Sequence, residues 1–165
     1  AGHVAREATH AALARHLPQA TVFAIDRAPD ALALARENAR RRGVSDQIVF
    51  LQGDLLSPLP TQIDLIVANL PYVSQTEYAA LPPDIRYYEP HQALLAGPDG
   101  LTAIRGLLSA APDYLSADGV LLAEFGATQG PAVRSLARKV FPEAHVTILT
   151  DYAHLDRIVH VARAQ

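Results

Sequence analysis

One tetrapeptide, Asn69-Leu70-Pro71-Tyr72, combines residue types that could hold a planar amino group. It follows the apolar run Ile63–Ala68, which is typical of a buried strand, so Asn69 would stand at the mouth of that strand. The Asn69 amide oxygen and a neighbouring backbone carbonyl could accept both hydrogens of one NH₂ group. Tyr72 could stack on the planar group, and the nitrogen would then be aimed at an electrophile. The alternative is a strand-ending turn, in which Asn and Pro are common.

Two acidic residues follow other strand-like runs. Asp26 closes the run Thr21–Asp26, where a carboxylate can accept hydrogen bonds from the two hydroxyls of a ribose. Asp54, in Gly53-Asp54-Leu55 after Ile48–Gln52, could face an exocyclic amine while Leu55 packs on a flat base. The structural alternatives are an acid favoured at a helix N-terminus for Asp26 and an ordinary Gly-Asp turn for Asp54.

The elements that would position these residues alternate along the chain. Strands are predicted at Thr21–Asp26, Ile48–Gln52, Ile63–Ala68, Val120–Phe125, Val146–Thr150 and Arg157–Ala162. Helices are predicted at Val4–His16, Pro29–Arg42, Leu101–Leu115 and Pro131–Val140. The apolar strands favour a parallel sheet buried on both faces, where ligands bind at the carboxyl ends of strands. The last two strands predict an antiparallel hairpin, and the long segment Ser74–Gly100 predicts a loop that covers a site.

Composition excludes several classes of chemistry. The chain has 165 residues, a net charge of −3 and no cysteine, which excludes disulfides, thiolate nucleophiles and zinc–cysteine sites. Its seven histidines are scattered, so no metal site is expected. The acidic balance disfavours a nucleic-acid-binding surface. No apolar run approaches the roughly 20 residues needed to span a bilayer, and a soluble, cytoplasmic domain is expected.

With its continuation, the tetrapeptide resembles a known family. Asn69-Leu70-Pro71-Tyr72 is similar to the Asn-Pro-Pro-Tyr motif of S-adenosylmethionine-dependent amino-methyltransferases. The stretch from Asp84 to Leu101, with Arg86, Glu89-Pro90 and Ala93-Leu94, looks like the HemK/PrmC family, the protein-(glutamine-N5) methyltransferases of peptide chain release factors. Further segments match in the same order: Ala24–Arg27, Pro29–Leu32, Gly53–Leu55, Leu121–Glu124 and Asp151–Arg157.

The resemblance implies a fold and a role for each candidate. The fold would be α/β, a Rossmann-like class I S-adenosylmethionine-dependent methyltransferase with a mostly parallel sheet and an antiparallel C-terminal hairpin. Asp26 would bind the cofactor ribose, and Asp54 and Leu55 would lie at its adenine. Asn69 would bind the substrate amide and touch S-adenosyl-L-methionine, while Leu70, Pro71 and Tyr72 complete the substrate pocket. The methyl acceptor would be a glutamine side chain of a peptide chain release factor, with no membrane partner.

Two departures from the family pattern keep alternatives open. Leu70 replaces the second motif residue, as in ribosomal-RNA adenine dimethyltransferases, so an adenine amine of RNA or DNA is an alternative substrate. Only Ala1-Gly2-His3 precedes the first predicted helix, where the family has a strand and a glycine-rich cofactor loop. We therefore expect residues 1–165 to be an N-terminally incomplete catalytic domain that binds the cofactor weakly or not at all by itself. A non-catalytic binding module of the same fold is the third interpretation.

Overall fold

The computed structural model describes residues 2–82, 84 and 91–163, with side chains described from residue 9 onward except for residue 92. The chain divides into two compact units, Ala1–Pro60 and Thr61–Gln165. Each unit has its own strands and helices and is described by itself below.

The first unit alternates helices and strands around a core rich in alanine. Its elements are α1 (Gly2–His16), β1 (Val22–Asp26), α2 (Pro29–Arg41), a 3₁₀ turn (Ser45–Gln47) and β2 (Ile48–Gln52). Small side chains let α1 and α2 pack closely on each other and on the strands, since Ala14, Ala24 and Ala39 are fully buried. The strands pair in parallel from Val22 opposite Ile48 to Asp26 opposite Gln52, so both carboxyl ends lie at one edge.

The second unit contains a four-stranded sheet in the order β3-β4-β6-β5. Its elements are β3 (Ile63–Asn69), α3 (Gln75–Ala80), α4 (His91–Leu94), α5 (Thr102–Tyr114), β4 (Leu115–Glu124), α6 (Gly130–Val140), β5 (His145–Thr150) and β6 (Asp156–Ala162). β3 is parallel to β4, while β6 runs antiparallel to both β4 and β5. The core of this unit is formed by fully buried apolar side chains such as Leu108, Leu121, Phe125 and Val159.

The predicted C-terminal hairpin is confirmed, and its turn is tied by one carboxylate. The Asp151 carboxylate accepts hydrogen bonds from the backbone N–H groups of Ala153 and Leu155. It also forms an ion pair with Arg157 at 3.2 Å. The backbone N–H of Phe125 donates a hydrogen bond to the backbone carbonyl of Arg157 at 3.0 Å. These bonds join the hairpin to the carboxyl end of β4.

Three details differ from the sequence predictions. β4 begins at Leu115 rather than Val120, because the register with β3 shifts between Ile63 and Leu65 and accommodates the extra residues. The segment Ser74–Gly100, predicted as a loop, contains α3, whose N-terminus is closed by a capping box between Ser74 and Glu77.

The third difference concerns burial of β3. The prediction of burial on both faces is wrong for this strand, since Ile66 alone is buried and Val67 is 40% exposed. Among the described residues β3 pairs with β4 only, and β1 pairs with β2 only, so each is an edge strand of its sheet. On the open side of an edge strand no neighbouring strand packs its side chains beside those of β3, which explains the exposure.

Candidate functional site

The corner after β3 combines an exposed polar side chain with a partly buried turn. Asn69 is the last residue of β3, directly opposite Glu124 of β4, and its side chain is exposed. The next three residues, Leu70, Pro71 and Tyr72, are half-buried. Since Pro71 has a fixed φ and no N–H, the chain leaves the strand in a restricted direction without leaving a donor unpaired. The predicted position of Asn69 at the mouth of its strand therefore agrees with the geometry.

Backbone hydrogen bonds hold the residue after the corner. The N–H of Val73 donates to the carbonyl of Leu94 at 3.0 Å, and the N–H of Ala96 donates to Val73 at 2.9 Å. Val73 and Leu95 thus form a short parallel bridge, and the Gln75 N–H adds a bond to Gly97 at 3.2 Å. The corner is consequently anchored to the segment 94–97.

Gln129 fixes the corner from the other side. Its Nε2 donates to the backbone carbonyl of Tyr72 at 2.9 Å and to that of Asp99 at 3.4 Å, and its Oε1 accepts from the Gly126 N–H at 2.9 Å. Gln129 was not among the site residues predicted from the sequence. The available signal was a side chain that can both donate and accept a hydrogen bond, placed three residues after the glycine that follows the predicted strand Val120–Phe125.

Glu124 places a carboxylate beside the corner. Its Oε1 accepts a hydrogen bond from the Tyr72 hydroxyl at 3.4 Å, and its backbone is paired with Asn69. Here it orients the far end of the Tyr72 ring, so Tyr72 is held at its carbonyl by Gln129 and at its phenol by Glu124.

Glycine 100 is required where the loop meets this corner. Its φ is +73°, and a Cβ at this position would collide with the Tyr72 carbonyl oxygen and lie 2.5 Å from Gln129 Nε2. The backbone at Gly100 therefore passes in direct contact with Tyr72. Of the stretch that carried the family resemblance, residues 85–90, which include Arg86 and Glu89-Pro90, lie outside the described residues.

In the first unit, the carboxyl ends of β1 and β2 bring three predicted residues together. The Asp26 carbonyl accepts the N–H of Gly53 at 3.1 Å, which sets Asp54 and Leu55 beside it. Asp26 Oδ1 accepts the Ala28 N–H at 2.8 Å, while its Oδ2 has no hydrogen-bond partner within the described part of the chain. Asp54 is 64% exposed and lies 3.8 Å from Arg27.

Leu55 has an unusual backbone. Its φ of 49° lies in the left-handed region, which a leucine rarely adopts, and such outliers cluster at ligand sites. Among the described residues, Asp26 Oδ2 and the exposed carboxylate of Asp54 offer hydrogen-bond acceptors at this edge, and the half-buried Leu55 offers an apolar surface. Acceptors and an apolar surface fit the diol, the amine and the flat ring of an adenosine.

His10 is a further titratable group close to Asp26. Burial lowers the pKa of His10, and the negative charge of Asp26 opposes that shift. The His10 Nδ1 is buried without a hydrogen-bond partner among the described residues. Sequence reasoning grouped His10 with the scattered histidines, because nothing in its spacing indicates its neighbour in the fold.

The predicted residues thus fall into two groups. Asp26, Asp54 and Leu55 share one sheet edge in the first unit, and Asn69 to Tyr72 form the corner in the second. The contact between Asn69 and the cofactor stays a prediction. No group of three or more His, Asp or Glu residues suited to a metal ion occurs among the residues described.

Comparison with known sequences identifies the family. The profile of the methyltransferase domain family matches residues 2–124, about three quarters of the chain. The chain belongs to this family. The methyltransferase domain is also 46% identical over 146 residues to the release factor glutamine methyltransferase of Moorella thermoacetica, covering 88% of the domain and 51% of that protein. It is 41% identical over 149 residues to the protein of that name from Gloeobacter violaceus, covering 90% and 52%. The resemblance to this group is confirmed.

The chain spans about half the length of the curated relatives it matches. Solved structures agree on the fold of the methyltransferase domain. A methyltransferase from Pyrococcus furiosus superposes with a TM-score of 0.67 at 15% identity, covering 96% of this chain and 70% of that one. The ribosomal protein L11 methylase of Lactobacillus delbrueckii subsp. bulgaricus gives 0.64 at 17% identity, covering 96% and 65%. The predicted class I methyltransferase fold is confirmed.

In the part of the chain that the structure describes, every helix is too short or too polar to cross a membrane.

Proposed function

We propose that this domain takes part in S-adenosylmethionine-dependent methylation of a glutamine side-chain amide in a peptide chain release factor. The carrying observation is the Asn69–Tyr72 corner, present in a chain that is 46% identical to a release factor glutamine methyltransferase. The release factor is the proposed protein partner, and the reaction would take place in the cytoplasm, where translation is completed.

The corner supplies what a glutamine amide needs to act as a nucleophile. An amide nitrogen is a poor nucleophile because its lone pair is delocalised into the carbonyl. The exposed Asn69 Oδ1 and a carbonyl of the turn would accept the two hydrogens of the substrate NH₂. Pro71 and the ring of Tyr72 would confine the amide plane, with Leu70 completing the pocket. Orientation of this kind accelerates a reaction without any charged catalyst.

The cofactor would be held by residues of the first unit. We propose that Asp26 accepts hydrogen bonds from the ribose hydroxyls through Oδ2, that Asp54 faces the adenine amine and that Leu55 packs on the ring. When bound, S-adenosyl-L-methionine supplies an electrophilic methyl group on a sulfonium. Asn69 is proposed to border the cofactor as well as the substrate.

The reaction needs no protein base. Methylation at nitrogen leaves a cationic amide, which is a strong acid, and its proton passes directly to water. Glu124, whose Oε1 lies 3.4 Å from the Tyr72 hydroxyl, would then orient the Tyr72 ring and would not act as a base.

One residue favours a second candidate function. Leu70 stands where the glutamine methyltransferase motif has proline, and leucine is similar to the adenine dimethyltransferase pattern. An adenine amine is also a planar NH₂ group that the corner could hold. The net charge of −3 opposes it, because nucleic-acid partners favour basic surfaces.

A label-transfer assay separates these functions. The protein as encoded, with any residues that flank these 165, is incubated with methyl-labelled cofactor and with release factor, ribosomal RNA or DNA in parallel. We expect label in the release factor only, and loss of transfer in Asn69→Ala but not in the control Gln62→Ala, whose side chain is exposed and lies before β3. Label in RNA or DNA alone would support the second candidate, and cofactor binding without any transfer would favour a binding module.

A further inference from the structure

Gln129 joins three backbone segments that are far apart in sequence. Its side-chain amide reaches the turn after β4 at Gly126, the corner at Tyr72 and the loop at Asp99. The bond to Tyr72 spans 57 residues of sequence. Both ends of the amide are used, since Oε1 accepts and Nε2 donates, so no apolar or purely acidic side chain could replace it.

We propose that Gln129 is a positioning residue that fixes the acceptor corner through the carbonyl of Tyr72. The inference rests on the proposed function, in which Tyr72 confines the substrate amide. Gln129 itself would not touch the substrate, because its amide is occupied by backbone groups.

The surroundings of Gln129 show that the contact is built into the fold. The backbone at Gly100 approaches so closely that a Cβ there would lie 2.5 Å from Gln129 Nε2. A Cβ at Gly126 would lie 3.2 Å from Gln129 Oε1 and 3.4 Å from the Tyr72 ring. Two glycines thus leave room for the amide, and the Gln129 N–H itself donates to the Gly126 carbonyl at 2.8 Å.

The phenol end of Tyr72 is held independently by Glu124 at 3.4 Å. Gln129 holds the backbone end of the same residue through its bond to the Tyr72 carbonyl at 2.9 Å. Loss of the Gln129 donor should therefore shift the corner, and a misplacement of about 1 Å can cost about 10²-fold in rate.

Two substitutions separate the halves of the amide. Gln129→Ala removes both bonds. Gln129→Glu retains an oxygen that can accept from Gly126 but loses the donor to Tyr72 and Asp99. The control is Ser116→Ala, which removes the 2.9 Å hydrogen bond from Ser116 to Asp64. Both residues lie at the amino-terminal ends of β3 and β4, whereas the corner lies at the carboxyl end of β3.

We expect kcat for glutamine methylation to fall about 10- to 100-fold in both Gln129 variants, with the KM for cofactor unchanged. Ser116→Ala should stay within about twofold of the original protein. Backbone amide exchange supplies a readout that does not need activity. Val73 and Ala96 should exchange faster in both Gln129 variants, while Gly126 stays protected in Gln129→Glu.

The outcomes are distinguishable. Full activity and unchanged Val73 and Ala96 exchange in Gln129→Glu would overturn the proposal. If Gln129→Ala does not fold, the Glu variant decides alone. If the unaltered protein methylates no glutamine, the proposed function fails, and the exchange of Val73 and Ala96 still decides whether Gln129 holds the corner.

Discussion

Replacement of Gly100 by alanine tests the packing of the acceptor corner most simply. Gly100 is buried, has a φ of +73°, and a Cβ there would collide with the Tyr72 carbonyl, lie 2.5 Å from Gln129 Nε2 and lie 3.1 Å from the Ser74 nitrogen. An L-residue in the left-handed region lowers the free energy of unfolding by about 1–2 kcal/mol. Alanine also reduces the conformational entropy of the unfolded chain, which offsets about 0.4–1 kcal/mol of this cost. The difference between these two effects is the backbone term.

The collision adds to the backbone term. Overpacking of this kind costs about 1–3 kcal/mol, so Gly100→Ala should destabilise the second unit by about 2–4 kcal/mol. Gly43 provides the matched control, since its φ is +68° and nothing lies within 4 Å of its missing Cβ. Gly43→Ala should therefore cost about 1 kcal/mol, which is the backbone term alone.

Residue-resolved amide exchange is the suitable assay, because Gly100 and Gly43 belong to different units and each effect is measured in its own unit. The most protected backbone amides of α5 report on Gly100, and those of α2 report on Gly43. If Gly100→Ala lowers the unfolding free energy no more than Gly43→Ala does, the close contact between this loop and Tyr72 is refuted.

Three further predictions concern local groups. Burial lowers the pKa of His10 in the folded state, so the free energy of unfolding should fall as the pH drops below about 6.5. Amide exchange of β1, measured as a function of pH, should show this loss of stability. The pH dependence should disappear in His10→Gln but not in the control His16→Gln. Ser74→Ala breaks the capping box of α3 and should cost about 1 kcal/mol locally, measured as faster amide exchange within α3; unchanged exchange would show that the cap contributes nothing. Asp26→Asn should abolish the amide shifts that millimolar adenosine induces in an NMR titration, whereas Asp30→Asn should leave them intact; equal shifts in both variants would exclude Asp26 as a ribose ligand.

Sequence patterns predicted the elements and the corner because both depend on local order. The periodicity of apolar residues placed β2 at Ile48–Gln52 correctly, and the antiparallel hairpin followed from two strand-like runs without a helix between them. The corner was predictable because Asn69, Leu70, Pro71 and Tyr72 are consecutive in the sequence.

The partners of the corner were not predictable by the same means. Gln129 contacts Tyr72 across 57 residues and Glu124 contacts it across 52, and spacing along the chain does not report such contacts. The capping box of Ser74 and Glu77 was a local signal that the expectation of a loop overrode. The burial of β3 was mispredicted for another reason, since an apolar run shows that a strand can be buried but not whether neighbouring strands flank it.

The central claim is that the Asn69–Tyr72 corner presents a glutamine amide for methylation. Its most direct test is mass spectrometry of release factor treated with the protein as encoded and S-adenosyl-L-methionine, with peptide fragmentation locating the methyl group. We predict one methyl group on the side-chain nitrogen of a glutamine, and none after treatment with Asn69→Ala. A release factor that remains unmodified while adenines of RNA or DNA acquire the methyl group would contradict the claim.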